Sequence, residues 1–338
     1  MNIKILTFSQ APNYGALLQC YALSKILKNM NHNVELVNIP FDYMNSFNYK
    51  IRKVLLFGFV NKFHEQYLPN SVTLNNLDFD ATYIVGSDQV WNITITNESY
   101  LRYFFDFLPN DTKRISYAAS FGTDQWSFKD KSQKIKELLN KFSSISVRES
   151  EGVKICNENF DVNADLVLDP TLLLEDYTEL TGSINIKNNL IGYKLNPDKK
   201  WRELLKLIAD KKALNIVDLF PNKVPFLSDL GGFNRKFLDV PIWLKNIAES
   251  SFVVTDSFHG TIFSILFKKN FIVVPSVKER MGRVKSLLKI LDIESRYYDS
   301  MDDVYLNDSW LSEIDYDKVF VKLDYYRKQS LSYLKSNI

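Results

Sequence analysis

The 338-residue sequence predicts an α/β protein of two Rossmann-like domains facing each other across a cleft. Two observations lead there. Short apolar runs rich in β-branched residues alternate with amphipathic runs of helical period, a pattern that specifies parallel sheets with helices on both faces. The alternation stops at 175–189, where Thr181-Gly182-Ser183 and a polar run intervene, and then starts again. The chain is also too long for one small domain and suits two of ordinary size. We therefore expect an N-terminal domain over 1–180, a C-terminal domain over 181–314, and a helix over 315–338 that packs back on the body.

In the first series, residues 3–8 read as a strand. A helix follows at 15–29, with Ala16, Leu17, Tyr21, Ile26 and Leu27 on roughly one face, and then a strand at 34–39. After a less regular stretch come buried strands at 82–85, 115–119 and 145–147. A polar helix at 129–142 precedes the last of these, a short helix at 149–157 follows it, and 166–168 closes the sheet. The second series has strands at 190–193, 214–219, 252–255 and 271–274, with helices at 199–211, 241–249 and 258–267. The final helix offers Val319, Val321, Leu323, Tyr326 and Leu331 as apolar contacts.

Hydrophobic residues make up 46% of the chain and charged residues 24%, enough to build sizeable cores rather than a disordered chain. The net charge is only +2, from 42 basic and 40 acidic side chains, which argues against a general nucleic-acid binder. The N-terminus lacks the apolar stretch and small-residue cleavage site of a signal peptide, and no run approaches the length of a spanning helix. A cytoplasmic location is expected. Cys20 and Cys156 lie far apart in predicted helices and read as two reduced, packed thiols. The segment 47–63, with Ile51, Val54, Leu55, Leu56 and Phe57, is either a buried helix or a surface for loose association with the inner face of the membrane.

In open parallel sheets, ligands bind beyond the carboxyl ends of the strands, so residues at those ends define the search. The sharpest is Asp256-Ser257-Phe258-His259-Gly260-Thr261, between a buried strand and a buried helix. Asp256 or Ser257 can cap that helix, whose positive end suits an anion. Gly260 would let a ligand approach the backbone, and a histidine there can transfer a proton near neutral pH. His32 and His64 sit in polar, loop-like surroundings.

A second candidate is Gly86-Ser87-Asp88-Gln89-Val90-Trp91-Asn92, whose hydroxyl, carboxylate, amide and indole groups suit a sugar or other polyol. The turn Asn13-Tyr14-Gly15 opens the first helix but lacks a G-x-G-x-x-G fingerprint, and no P-loop exists, which disfavours NAD enzymes and P-loop NTPases. Arg148 follows the strand at 145–147, and Lys278, Arg280, Arg283 and Lys285 cluster after the strand at 271–274. Guanidinium forks bind carboxylate and phosphate well. Three scattered histidines and two distant cysteines give no zinc spacing, so no metal is expected.

Taken in order, Asn13-Tyr14-Gly15-Ala16-Leu17-Leu18-Gln19, Val85-Gly86-Ser87-Asp88-Gln89-Val90-Trp91-Asn92, Val147-Arg148-Glu149, Asp169-Pro170-Thr171 and Thr255-Asp256-Ser257-Phe258-His259-Gly260-Thr261 resemble the polysaccharide pyruvyl transferase family. The resemblance implies a GT-B-like fold and transfer of the pyruvyl unit of phosphoenolpyruvate to a sugar, usually as a ketal, on capsules, exopolysaccharides or cell-wall polymers. A lipid-linked acceptor would predict a loose membrane association, and no cofactor beyond the donor substrate is implied. It places His259 and Arg148 in the active site. Ser257, Gly260, Thr261, Arg280 and Arg283 are then expected on the donor side, in the C-terminal domain. Asn13, Tyr14, Gly15, Ser87, Asp88, Gln89, Trp91 and Asn92 are expected on the acceptor or cleft side, in the N-terminal domain. Where ketal-forming members carry an arginine two residues before the histidine, this chain has Ser257. A GT-B glycosyltransferase using a nucleotide sugar and a non-catalytic glycan-assembly protein are the other classes compatible with the sequence.

Overall fold

A computed structural model describes residues 1–39, 58–194, 197–219, 222–223, 235–278 and 281–338. The chain divides into two compact units, the first comprising Met1–Leu174 with Asp324–Ile338 and the second Glu175–Leu323.

The first unit contains, in chain order, β1 (Asn2–Leu6), α1 (Tyr14–Asn29), β2 (Asn33–Asn38), α2 (Gly58–Tyr67), β3 (Ser71–Thr73), β4 (Thr82–Val85), β5 (Arg114–Ser116), α3 (Ser132–Leu139), β6 (Ser146–Val147), α4 (Ser150–Phe160), β7 (Asp165–Leu166) and α5 (Pro170–Leu173). Five strands form a parallel sheet in the order β3-β2-β1-β4-β5. Isolated parallel bridges Ile115↔Ser144 and Ala119↔Val147 carry it on to the β6–β7 pair. Strands such as β4, with all four residues buried, read as continuous apolar runs because helices cover both faces. The order reverses between β1 and β4, which makes their carboxyl ends the natural ligand position. The core beneath is aromatic: Trp91 stacks on Phe104, with ring centroids 5.3 Å apart and 8° between planes, and packs against Phe121.

The second unit contains β8 (Asn189–Tyr193), α6 (Lys199–Lys212), β9 (Asn215–Asp218), α7 (Val240–Glu249), β10 (Phe252–Thr255), α8 (Phe258–Leu266), β11 (Asn270–Val273) and α9 (Gly282–Ile290). Its parallel sheet has the order β11-β10-β8-β9. The last helix, α10 (Tyr316–Asn337), is divided between the units at Asp324. Its buried stripe is Val319, Leu323, Arg327, Ser330 and Leu334, spaced three or four residues apart as one helical face requires. Arg327 Nε donates to Leu172 O at 2.6 Å, and Ser330 Oγ accepts from Leu168 N at 2.9 Å. Polar anchors therefore replace part of the expected apolar contact, and Val321 is 73% exposed.

Several sequence expectations change. Helix α2 and strand β3 fall in the stretch read as irregular, and His64 lies on α2 with Nε2 2.6 Å from Ser9 O, not in a loop. Residues 47–57 of the candidate membrane surface lie outside the described residues. The remainder belongs to α2, where Phe59 and Phe63 pack on Tyr14 and Tyr21 of α1 rather than facing outward. Among the described residues no helix is long and apolar enough to cross a membrane. Both cysteines are free and buried in helices, and burial pushes each thiol up to about 12, which leaves them unreactive near neutral pH.

Candidate functional site

Four of the five sequence motifs meet at the carboxyl end of the first sheet. Arg148 leaves β6 with its side chain wholly enclosed, and its guanidinium is shared by two carboxylates. Nη1 donates to Asp169 Oδ2 at 2.7 Å and to Ser87 Oγ at 3.1 Å, and Nη2 donates to Asp88 Oδ1 at 3.1 Å. Ser87 Oγ donates to Asp169 Oδ2 at 2.7 Å. The other oxygen of Asp169 caps α5, accepting from Thr171 N and Oγ1 at 3.0 and 2.6 Å. The first motif joins from the opposite side, since Gln19 Nε2 donates to Thr7 Oγ1, which donates to Ser87 O, each at 2.8 Å. Glu149 adds a third buried carboxylate and accepts from Phe121 N at 3.1 Å. Burial alone would lower the Arg148 pKa, but Asp88, Asp169 and Glu149 outweigh it and the group is held above its ordinary value.

Arg148 was expected to grip an anionic donor directly. Its side chain has no exposed surface, and its guanidinium is bonded to two carboxylates. One of them, Asp88, has φ +82°, in the left-handed region that non-glycine residues seldom adopt. Asp88 Oδ1 also accepts from Gln89 N at 2.8 Å, and its side chain keeps 11% exposure. Its other oxygen, Oδ2, makes no hydrogen bond among the described residues.

The remaining acceptor-side candidates divide by role. Trp91 is buried to 0%, with Nε1 bonded to Tyr103 O at 3.0 Å, so it is a core residue and cannot serve as a sugar platform. Asn92 caps the one-turn helix Ile93–Thr96 and donates to Gln89 Oε1 at 3.0 Å. Gly122 presses on this amide pair: its φ is +67°, and a Cβ there would stand 2.0 Å from Gln89 Oε1. Asn13 caps α1, accepting from Ala16 N at 3.2 Å, while Tyr14 and Gly15 are buried in that helix.

The fifth motif organises the second unit. Ser257 caps α8, its Oγ accepting from Gly260 N at 3.2 Å, and His259 occupies the second helical position, 7% exposed. The ring of Phe258 meets that of His259 at 5.3 Å and 75°, and the guanidinium of Arg283 lies over Phe258 at 5.6 Å. Phe258 is thus in contact with both His259 and Arg283. Arg280 lies outside the described residues. Thr261 is fully buried and donates to Ser257 O at 3.0 Å, so its hydroxyl serves the helix start. Asp256 accepts a hydrogen bond from Ser276 Oγ.

Gly260 was expected to admit a ligand. Its place is instead set by protein: a Cβ would stand 2.5 Å from Thr255 Oγ1, which donates to Tyr193 O at 2.7 Å and accepts from Ser257 N at 3.0 Å. Gly260→Ala should therefore push Thr255 out of this junction and destabilise the second unit by about 1–3 kcal/mol, the range for overpacking a filled core. An unchanged urea midpoint would refute this account.

A profile of the family described as polysaccharide pyruvyl transferase matches residues 13–276. The chain belongs to this family. It is therefore a transferase of polysaccharide biosynthesis, and all five motifs fall within the matched span. A search of curated proteins gives no match. Among solved structures, the chain is similar to a protein of Listeria monocytogenes assigned as a UDP-N-acetylglucosamine 2-epimerase, at 12% identity and TM-score 0.54, covering 99% of this chain and 96% of that one. It is similar at TM-score 0.50 to the UDP-GlcNAc 2-epimerase of Neisseria meningitidis bound to UDP-GlcNAc, at 11% identity over 98% of this chain and 94% of that one. The MnaA–UDP structure of S. aureus has the same TM-score, at 12% identity over 99% and 96% of the two chains. These likenesses show a common GT-B-like fold for this pyruvyl transferase family member.

Two buried residues take a larger part in the Arg148 network than sequence reasoning assigned them. Asp169 was legible only as part of a motif, and Glu149 only as a neighbour of Arg148.

Proposed function

We propose that this transferase moves the pyruvyl unit of phosphoenolpyruvate onto two hydroxyls of a sugar in a cell-surface polysaccharide or its precursor, forming a ketal. The observation that carries this reading is the start of α8, where His259, the helix N-terminus and Arg283 on Phe258 come together. Phosphoenolpyruvate needs both an anion site and a proton donor, and this arrangement offers both. Ser257, as the helix cap, cannot supply the guanidinium that ketal-forming relatives place there; Arg283 brings one from α9.

The chemistry balances without any further reagent. His259 delivers a proton to the methylene carbon, which becomes a methyl group, and the adjacent carbon becomes oxocarbenium-like. One sugar hydroxyl adds to that carbon and returns its proton to His259. The carbon–oxygen bond to phosphate breaks, and a second hydroxyl closes the ketal, its proton leaving with the phosphate. One donor and one diol yield one ketal and one phosphate, with His259 returned to its starting state. The helix dipole and Arg283 stabilise the charge that collects on the departing phosphate. On the acceptor side, Asp88 Oδ2 is the group we assign to a sugar hydroxyl, held in place by Arg148.

The test is acceptor-dependent release of inorganic phosphate from phosphoenolpyruvate, with a parallel thermal-shift panel of nucleotide sugars. Stabilisation by phosphoenolpyruvate with phosphate release supports the assignment. Stabilisation by nucleotide sugars alone would replace it with glycosyl transfer.

A further inference from the structure

Lys194 belongs to none of the five motifs, yet it stands at the carboxyl end of a central strand of the second unit's sheet. It follows the last residue of β8, is only 2% exposed, and makes no hydrogen bond or ion pair among the described residues. Its ammonium lies 5.2 Å from the centroid of the Trp201 ring. Burial lowers its pKa, while Asp198 and Asp256 act in the opposite direction and help retain the proton. A buried cation without a close carboxylate is unfavourable for folding, so its retention needs a reason other than stability.

Topology supplies that reason. From β8 the chain passes through α6 to β9 on one side, and then through α7 to β10 on the other. The direction of winding reverses between β8 and β10, and ligands of open α/β sheets bind beyond the strand ends at such a reversal. Tyr193 and Thr255 are register partners, so Lys194 and Asp256 are the next residues out on the two strands. Two helices start on either side. Asp198 caps α6, accepting from Trp201 N at 2.8 Å, and Ser257 caps α8. Both nearby carboxylates are already engaged, Asp198 by the helix and Asp256 by Ser276. Among the described residues the ammonium has no hydrogen-bonding partner of this kind, so its donors remain open to a ligand.

We propose that Lys194 binds the phosphate of the donor, donating a hydrogen bond to a phosphate oxygen as the bond to carbon breaks. The assignment deepens the pyruvyl-transfer reading and rests on it for the identity of the donor.

Lys194→Met, in the full-length enzyme, keeps the length and apolar stem of the side chain and removes the charge. We expect its melting temperature to equal or exceed that of the unsubstituted enzyme. Its KM for phosphoenolpyruvate should rise at least ten-fold, and calorimetric affinity for inorganic phosphate should fall by a similar factor. Lys194→Arg should recover part of both. Undiminished phosphate affinity and KM in Lys194→Met would overturn the role of Lys194 and leave pyruvyl transfer standing. Loss of phosphate binding in Lys194→Met, beside an unsubstituted enzyme that turns over no phosphoenolpyruvate, would instead retain the anion site and remove the donor assignment. Should Lys194→Met fail to fold, Lys194→Gln and Lys194→Arg carry the same comparison; equal phosphate affinity in those two would refute the proposal.

Discussion

Asp169→Ala is expected to destabilise the first unit by about 3–5 kcal/mol, the largest effect of any single substitution outside the apolar cores. Asp169 is 1% exposed and serves four partners: Arg148, Ser87, and the backbone and hydroxyl of Thr171. Its loss would leave the enclosed guanidinium with Asp88 as its close ionic partner and remove the cap of α5. A buried charge robbed of its counter-ion is far more costly than an exposed one, because water cannot replace the lost carboxylate. Hydrogen exchange followed by mass spectrometry on β4 and β6 would report the change within the first unit. Protection equal to that of the unsubstituted protein would show that the network contributes little. Asp169→Asn should fall between the two, since it keeps the shape and an accepting oxygen while removing the charge.

The largest expected effect on activity is that of His259→Ala. If His259 moves the proton to and from the reacting carbon, its removal should lower turnover by about 10²–10⁴-fold, the usual contribution of a positioned acid–base group. Stability should change little, because the side chain lies at the second position of α8 and the helix is capped by Ser257 rather than by the imidazole. The KM for phosphoenolpyruvate should change far less than turnover, because anion binding is assigned to the helix start, Arg283 and Lys194. A folded His259→Ala enzyme with turnover within a few-fold of normal would remove the histidine from the chemistry. A folded variant with intact turnover but a raised KM would make it a binding residue instead.

The two proposed anion ligands and the histidine illustrate what a sequence can and cannot display. His259 was visible because a strand of four buried residues, a serine cap and a helix start follow one another without a gap. Those features are local, and local pattern is what a single sequence encodes most directly. Arg283 was visible as one member of a basic run, but its selection from that run depends on Phe258, twenty-five residues earlier, lying beneath it. Lys194 was invisible, since a lysine after a strand is ordinarily a solvated side chain. Only the reversal of strand order between β8 and β10, together with its burial, singles it out.

The motifs of the first unit show the same division. The residue pattern alone determined the alternation of strands and helices, the restart that makes two α/β units, and the family to which the chain belongs. It also marked Ser87, Asp88, Arg148 and Asp169 by their place at strand ends and in ordered motifs. It could not say that Arg148 would be enclosed or that Trp91 would be a core residue. Both have functional-looking neighbours and both are polar enough at one end to suggest a ligand. Tertiary structure decided these roles because a hydrogen-bond partner eighty residues away has no trace in local periodicity: Ser87 and Asp169 meet only once β4 and α5 are packed. The physical reason is desolvation. Whether a charged or aromatic group serves the fold or a ligand depends on which neighbours displace its water, and those neighbours are set by the packing of distant elements. The sequence placed His259 at a helix start in a transferase; packing decided that Arg148 is enclosed between Asp88 and Asp169 and that Lys194 is buried just past the end of β8.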